Sequence, residues 1–360
     1  MTPGAFNSMK VLGIDIGGAN IKAADEAGRA LSRPFAIWKY PDRLNEEFAA
    51  ILSVFPDTDE IVLTLTAELA DCFSSKREGV EFVIDAVEAA YHLALSHNQK
   101  SNLNLNSTRA WVWTTDGRFV SSREAKDFPL KVAAANWHAL ATWCVDFVQS
   151  TDLGLLIDIG STTTDIIPLT TGKAVPVGLT DVTRLQSGEL SYSGVWRTPL
   201  CAVAHSVPFR DGYCSLAAEL FATTLDIYLL LDQIGEDPTN TDTANGKPAT
   251  KPAAYDRLAR MLCCDRHEFS YDEAVEVARF LADVQRQRLA GSLERVLRRM
   301  PGRCQTVILS GSGDFLARQL VDENRLTNDS HRIVLAERFS PEVAEASCAY
   351  ALTQLKINRA

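Results

Sequence analysis

Hydrophobic positions in the first forty residues come in short runs broken by glycine. Leu12 to Lys22 reads LGIDIGGANIK, and the apolar pattern resumes after Gly17-Gly18 and again after Glu26-Ala27-Gly28. Short runs joined by glycine turns predict a strand meander over 10–37. A helix is expected near 42–54, a strand over Ile61 to Leu65, and an amphipathic helix over Gly79 to Leu95. The asparagine-rich stretch from Ser96 to Arg109 reads as a loop, Ala110 to Thr114 as a strand, and Lys131 to Val148 as a helix. A second series opens with a strand over Leu153 to Ile159 and its hairpin partner, followed by short strands to about Ser193. Ser215 to Ile234 reads as a long apolar helix, Glu236 to Ala254 as a loop, and Tyr271 to Met300 as a helix with an arginine-rich solvated face. Thr306 to Leu309 is a strand leading to a helix from Phe315, and Pro341 to Leu355 is an alanine-rich helix expected to return to the first series. The chain thus divides into 1–150 and 151–340, with 341–360 packing on the first part.

The two series share a device. In LLIDIGSTTTDIIP, Leu155, Ile157, Asp158, Ile159 and Gly160 match Leu12, Ile14, Asp15, Ile16 and Gly17, an offset of 143 residues. In each copy a strand ends in an aspartate followed by a turn. Gly17 and Gly18 let the backbone approach a ligand, and exposed N–H groups there form an anion-binding concavity suited to phosphate. Asn20 joins that loop, and Gly160, Ser161, Thr162 and Thr163 form the facing one. Asp15 and Asp158 are candidate ligands for Mg²⁺, held largely through water. A mere hairpin turn would explain one copy; it does not explain an aspartate in register in both.

Composition narrows the picture. The chain is 46% hydrophobic and 23% charged, with a formal net charge of −10 and a pI of about 5.2. That balance argues against nucleic acid or an anionic membrane as the main partner. No apolar run approaches the roughly 18 residues of a membrane span, and MTPGAFNSMK lacks the regions of a signal peptide. The eight cysteines are dispersed without a C-x-x-C, which predicts reduced thiols in a cytoplasmic protein. Cys263, Cys264, Asp265 and His267 lie close together, but adjacent cysteines point apart and make a poor zinc site. The partner expected is a phosphorylated small molecule, and a homodimer is left open.

A third element, VILSGSGDFLA over 307–317, reads as strand, glycine turn and helix start. Gly311 and Gly313 would expose backbone to a base, a sugar edge or an anion. These three pieces, in this order, resemble the phosphate loops and adenosine motif of the actin-like ATPase superfamily of sugar kinases, heat-shock chaperones and actin. The resemblance implies an α/β fold of two ribonuclease-H-like domains facing a central cleft. LTAELADCFSSKREGV (65–80), AAANWHALA (133–141), YSGVWRTPL (192–200) and AAELFATTLDIYLLL (217–231) resemble the hydantoinase A/oxoprolinase group. Within it they are similar to the subgroup tied to tetrahydromethanopterin one-carbon pathways, whose archaeal members build methanofuran. The resemblance implies condensation of an aminomethylfuran-methyl diphosphate with the phenol of a tyramine derivative, releasing pyrophosphate. ATP is the alternative occupant, in a kinase, a hydrolase or a nucleotide-gated regulatory protein.

For that chemistry Asp15 and Asp158 would hold the metal and leaving group, and Glu68 or Asp71 would serve as base toward the phenol. Lys76, Arg77 and Arg197 would bind phosphate or a substrate carboxylate, with Tyr192 beside them. Glu219 and Asp226, seven residues apart on the expected apolar helix, would face the substrate together. Each has a plainer reading: TAELAD as a capped helix start, Arg197 as partner of a surface acid, Asn136 as a cap or a contact to the second domain.

Overall fold

The computed structural model describes residues 9–97, 110–149 and 152–359. The leader before Met9 and most of the asparagine-rich loop, 98–109, lie outside the described residues.

The first sheet contains β1 (Val11–Gly17), β2 (Asn20–Asp25), β3 (Ala30–Pro34), β4 (Glu60–Thr66), β5 (Ala110–Trp113) and β6 (Phe119–Ser121). Their spatial order is β3-β2-β1-β4-β5-β6. The meander β1–β2–β3 is antiparallel, while β1, β4 and β5 run parallel. The second sheet uses β7 (Gly154–Ile159), β8 (Thr164–Thr170), β9 (Lys173–Ala174) and β10 (Leu190–Ser191). A separate hairpin follows, β11 (Ser206–Phe209) and β12 (Gly212–Ser215), before β13 (Thr306–Ser310) and β14 (His331–Val334) complete the sheet. Its order, β10-β8-β7-β13-β14 with β9 beside β8, repeats the plan of the first. An antiparallel meander leads into parallel strands on the far side of the opening strand. This doubled α/β plan is the ribonuclease-H-like architecture that the resemblance implies.

The larger helices are α1 (Leu44–Val54), α2 (Lys76–His97), α3 (Asn136–Cys144), α4 (Asp181–Ser187), α5 (Thr224–Leu230), α6 (Lys251–Met261), α7 (Tyr271–Leu297), α8 (Asp314–Glu323) and α9 (Ser347–Ile357). No helix among the described residues is long and apolar enough to cross a membrane.

Strand alternation positions the site. Leu12, Ile14 and Ile16 point into one core with Phe48, Ile51, Val80 and Val83 of α1 and α2. Gly13 and Asp15 therefore face the opposite side. In β7, Leu155, Ile157 and Ile159 enter the second core, and Leu156 and Asp158 face away from it. Those two opposite faces meet through a central layer in which Leu140 of α3 and Leu352 of α9 pack with Val11, Val62, Leu156 and Ile308. Helix α9 lies so close on β1 that a Cβ on Gly13 would overlap the Ala349 carbonyl. The C-terminal helix returns to the first sheet as its alanines suggest.

Several elements differ from expectation. The helix expected over 341–355 breaks at Ala346 into Pro341–Glu345 and α9, and α6 begins at Lys251 inside the expected loop. The helix expected over 131–148 is broken: a turn over 129–132 precedes α3, because Ala133 pairs as a bridge with Leu65 and Ala134 adopts φ 49°. The segment 215–234 is helical only over α5. Leu216 and Ala217 donate backbone bonds to His205 and Met261, and the Thr223–Asp226 capping box starts the helix late. Helix α4 lies where short strands were expected; Thr180 and Thr183 cap its start and Gly188, at φ 82°, its end.

Candidate active site

The site forms where β1 and β7 reach their carboxyl ends, the usual ligand position in open α/β sheets. Asp15 is 8% exposed and its Oδ1 has no hydrogen-bond partner. Burial pushes its carboxyl up to about 6, against the opposing pull of the Lys22 ammonium and a hydrogen bond from the Asn136 side chain. Lys22 stands directly across the β1–β2 ladder, and Thr64, fully buried with its own unpartnered hydroxyl, stands opposite on β4. Asp158 is likewise pushed up to about 6, first by burial and then by Asp165, with Ser310 and Lys22 opposing. Lys22 thus acts on both carboxylates, and the two aspartates act on each other. The structure brings together the pair that the duplicated motif singled out.

The loops beyond them are open where a ligand would need them. A Cβ on Gly18 would meet nothing within 4 Å, and one on Gly160 would make only an ordinary 3.6 Å contact with the Thr163 carbonyl. Neither residue has a left-handed backbone. The fold therefore does not demand glycine at either position, whereas close approach of an anion would. The second loop is braced from behind: Val195 N–H donates to the Gly160 carbonyl, and Trp196 and Arg197 N–H both donate to the Ser161 carbonyl. Gly194 packs so closely that a Cβ there would stand 2.5 Å from the Gly160 oxygen. Thr164 Oγ1 donates to the Ser193 carbonyl at 2.7 Å, which ties the loop's exit to the same brace.

Arg184 of α4 pairs with Asp165 in the interior, and its guanidinium lies over the Trp137 ring at the start of α3. Asp165 stands in register with Asp158 across the β7–β8 ladder. Its carboxyl is raised by burial against the lowering effect of Arg184. Nothing in the sequence motifs marked Lys22, Asn136, Asp165, Arg184 or Ser310 as neighbours of the carboxylate pair. The capping pattern at Thr180 and Gly188 was the one signal that could have placed Arg184 on a helix.

A second group sits just past β4. TAELAD forms a turn rather than a helix start, and α2 begins at Lys76. Glu68 is 2% exposed and its Oε2 has no partner. Burial raises its carboxyl above the ordinary range, with backbone hydrogen bonds, including one from Ala134, and the Lys76 ammonium opposing. Lys76 Nζ lies 3.8 Å from Glu68 Oε1 and 3.3 Å from Asp181 Oδ2 of α4. Asp71 is exposed in the same turn, so of the two base candidates only Glu68 is sequestered.

The other expected substrate residues fall in varied surroundings, some beside the second loop and some away from it. Arg77 is exposed and tied to Glu81 and the Lys126 carbonyl, because one residue along a helix rotates it off the face that carries Lys76. Arg197 pairs with Asp242 and lies 5.8 Å from the Trp38 ring centroid, so its plainer reading as partner of an acid holds. Glu219 is exposed outside any helix and does not share a face with Asp226. Asp226 is a buried structural group: it accepts from Thr223 N–H as a cap and from the Arg257 Nε–H at 2.7 Å. Gly313 is buried against Ile159 and Val195, so its backbone is not open to a base. A Cβ on Gly311, at φ 88°, would stand 2.2 Å from the Ile159 carbonyl oxygen and 2.6 Å from Asp158 Oδ1, so its lack of a side chain serves packing. Tyr192 is 70% exposed beside the Ser193–Gly194 brace. Cys263 is exposed and Cys264 half-buried, and no group of three His, Cys, Asp or Glu side chains suited to a metal occurs among the described residues.

The residues at the carboxylate pair fit a divalent cation. Asp15 offers a buried oxygen without a partner, Asp158 adds a second oxygen donor group, and the hard oxygen chemistry of both suits Mg²⁺.

Comparison with known proteins gives a consistent result. Residues 59–339 match the family model described as hydantoinase/oxoprolinase. A protein of Methanocaldococcus jannaschii is 33% identical over 349 residues, covering 96% of this chain and 97% of its own; it is named (4-{4-[2-(gamma-L-glutamylamino)ethyl]phenoxymethyl}furan-2-yl)methanamine synthase. A protein of Methanococcus vannielii with the same name is 32% identical over 204 residues, covering 57% of this chain and 90% of its own. Among solved structures, nucleotide-free acetone carboxylase superposes with a TM-score of 0.50 at 11% identity, over 95% of this chain and 70% of its own. An archaeal actin homolog in complex with ADP gives a TM-score of 0.46 at 14% identity, over 97% and 99%. The likeness to acetone carboxylase speaks for fold alone. The family match spans most of the sequence and the Methanocaldococcus relative nearly all of it, so the chain belongs to the hydantoinase/oxoprolinase family.

Proposed function

We propose that the protein is a Mg²⁺-dependent transferase of cofactor biosynthesis. It would join the phenol oxygen of a γ-glutamylaminoethyl phenol to the methylene carbon of an aminomethylfuran-methyl diphosphate, with release of pyrophosphate. The carrying observation is the pair Asp15 and Asp158, brought together beside Lys22 at two open glycine loops. The name of the near full-length relative, an aryl ether of a furan methanamine, supports this choice of substrates.

In this reading Glu68 takes the phenol proton. The phenol oxygen forms the new C–O bond as the methylene C–O bond to diphosphate breaks, and the bonding electron pair leaves with pyrophosphate. Backbone N–H groups at Gly17 and Gly18, the hydroxyls of Ser161, Thr162 and Thr163, and the Lys22 ammonium meet the charge that develops on the leaving group. Asp15 and Asp158 would hold the metal, which supplies further charge neutralisation to the diphosphate when bound. A phenol has a pKa near 10, so a sequestered carboxylate with a raised proton affinity suits it better than a solvated one.

The test is turnover of the furan-methyl diphosphate with γ-glutamyltyramine, followed by pyrophosphate release and by mass of the ether product. Product formation that requires Mg²⁺ supports the reading. Absence of product together with rapid ATP hydrolysis would replace it with an ATP-dependent kinase or hydrolase.

A further inference from the structure

Glu68, Lys76 and Asp181 lie in a row that crosses between the two parts of the chain. Glu68 follows β4, Lys76 opens α2, and Asp181 opens α4 on the second sheet's side. The spacing along the row is uneven. Lys76 Nζ donates a hydrogen bond to Asp181 Oδ2 at 3.3 Å, whereas it stands 3.8 Å from Glu68 Oε1, beyond hydrogen-bond reach. Glu68 Oε2 is buried with no partner at all.

The backbone holds Glu68 firmly. Gly79 packs α2 onto it, and a Cβ there would stand 2.5 Å from the Glu68 carbonyl oxygen. Ala134, in its left-handed conformation, supplies a backbone hydrogen bond to the carboxylate. A non-glycine residue held at positive φ carries strain that the surrounding structure must impose. Lys76 is less constrained. As a cation in the first turn of a helix it opposes the helix dipole and needs an anionic partner. Two carboxylates compete for it, and the one across the cleft has the shorter contact.

We propose that Asp181 is a positioning residue for Glu68: by holding the Lys76 ammonium from across the cleft, it keeps that ammonium beyond hydrogen-bond reach of the Glu68 carboxylate, which stays in place to accept the phenol proton. The base is then complete only when α4 meets α2. This rests on the transferase reading. The charged groups that act on Glu68 are Lys76 on α2 and Asp181 on α4, while the 133–135 segment contributes a backbone N–H only. With Asp181 neutralised, Lys76 turns to Glu68 and makes it a weaker base. With Lys76 neutralised, Glu68 becomes a stronger one.

Two variants therefore shift the same property in opposite directions, which a merely structural role would not do. In Asp181→Asn, kcat falls on the order of tenfold and the acid limb of the pH profile moves to lower pH, while KM for the diphosphate stays within about twofold. In Lys76→Met the limb moves to higher pH, and Asp181→Glu restores the wild-type profile. A readout independent of turnover is the titration of the Glu68 carboxyl carbon in protein labelled with ¹³C-glutamate, assigned by its loss in Glu68→Gln. Its midpoint should fall in Asp181→Asn and rise in Lys76→Met. Unmoved midpoints in both variants overturn the positioning role even if the wild type turns over. Midpoints that move as expected in a protein that makes no ether uphold the coupling and overturn only the transferase reading.

Discussion

The Arg184 guanidinium carbon lies 3.8 Å from the centroid of the Trp137 ring. Arg184 belongs to the second sheet's part of the chain and Trp137 opens α3, so the stack joins the two. The start of α3 serves both members of the carboxylate pair. Asn136 hydrogen-bonds to Asp15, and the next residue supports the arginine that pairs with Asp165, the cross-strand neighbour of Asp158. Whatever fixes α3 therefore bears on the relative placement of the two glycine loops.

Replacing Arg184 with methionine should cost on the order of 3–5 kcal/mol, because it leaves the Asp165 carboxyl buried without its cation. Trp137→Leu should cost less for the cation–π contact alone, on the order of 1–2 kcal/mol, plus the packing lost with the ring. Urea unfolding of both single variants and the double variant measures the coupling. Additive losses would mean that the stack is incidental contact rather than support.

Asp15→Asn and Asp158→Asn should each abolish Mg²⁺-dependent turnover while making the unliganded protein more stable at pH 8. Both carboxyls rise from 3.8 to about 6 on folding. A raised carboxyl favours the fold fully below pH 3.8, and that contribution is lost as pH climbs through about 6. Above that, each ionised carboxylate weighs against folding by at most about 3 kcal/mol, since one pKa unit is worth about 1.4 kcal/mol. Melting curves should therefore separate variant from wild type at pH 8 and converge near pH 4. Mg²⁺ with pyrophosphate should raise the wild-type midpoint and leave the variants unchanged. Full activity in either variant removes that residue from the metal role.

Two glycines give a sharper contrast. Gly18→Ala should leave stability within about 0.5 kcal/mol or raise it slightly, since the added methyl meets nothing and the backbone is not left-handed. It should nevertheless weaken pyrophosphate binding about tenfold if an anion rests against that backbone. Gly194→Ala should lower both stability, by about 1–3 kcal/mol, and binding, because its methyl would press on Gly160, Ser161 and Thr162. Calorimetric titration beside thermal melting separates the two cases. Undiminished pyrophosphate affinity in Gly18→Ala would move the anion away from the first loop.

The carboxylate pair was legible because strand alternation and glycine turns are local, and their repetition 143 residues apart made them conspicuous. The doubled sheet followed from the same repetition. Lys22 and Asp165 were not legible, because cross-strand neighbours depend on register that the sequence does not state. Helix α4 was hidden by its seven-residue length, although Thr180, Thr183 and Gly188 carried capping signals. Ser215 to Ile234 misled for the opposite reason. Its apolar run reflects burial from several directions, and at its start Leu216 and Ala217 are engaged with His205 and Met261, so that only α5 is helical. The Glu219–Asp226 pairing fell with that helix. Lys76 and Arg77 are adjacent in sequence, and only the rotation of α2 shows that one faces Glu68 and the other Glu81.

Mg²⁺–pyrophosphate should bind at least as tightly as Mg²⁺–ATP, and ATP hydrolysis should be negligible. In the proposed reading the two facing loops bind phosphates, and such loops do not by themselves select a nucleotide. Selection would have to come from the turn after β13, where Gly311 and Gly313 were the expected room for a base. Gly313 is buried against Ile159 and Val195, and a Cβ on the half-buried Gly311 would run into the Ile159 carbonyl and Asp158. Those glycines bring the β13–α8 turn against the end of β7, which holds Asp158 in place through Ser310. The buried Gly313 offers a purine no open backbone, so the adenosine part of ATP should add little to the affinity of its phosphates. Titration calorimetry with each ligand, at one Mg²⁺ concentration and pH 8, measures the difference directly. Affinity for ATP more than about tenfold above that for pyrophosphate, equivalent to about 1.4 kcal/mol from the nucleoside, would place a base site in the cleft and turn the reading toward an ATP-dependent enzyme.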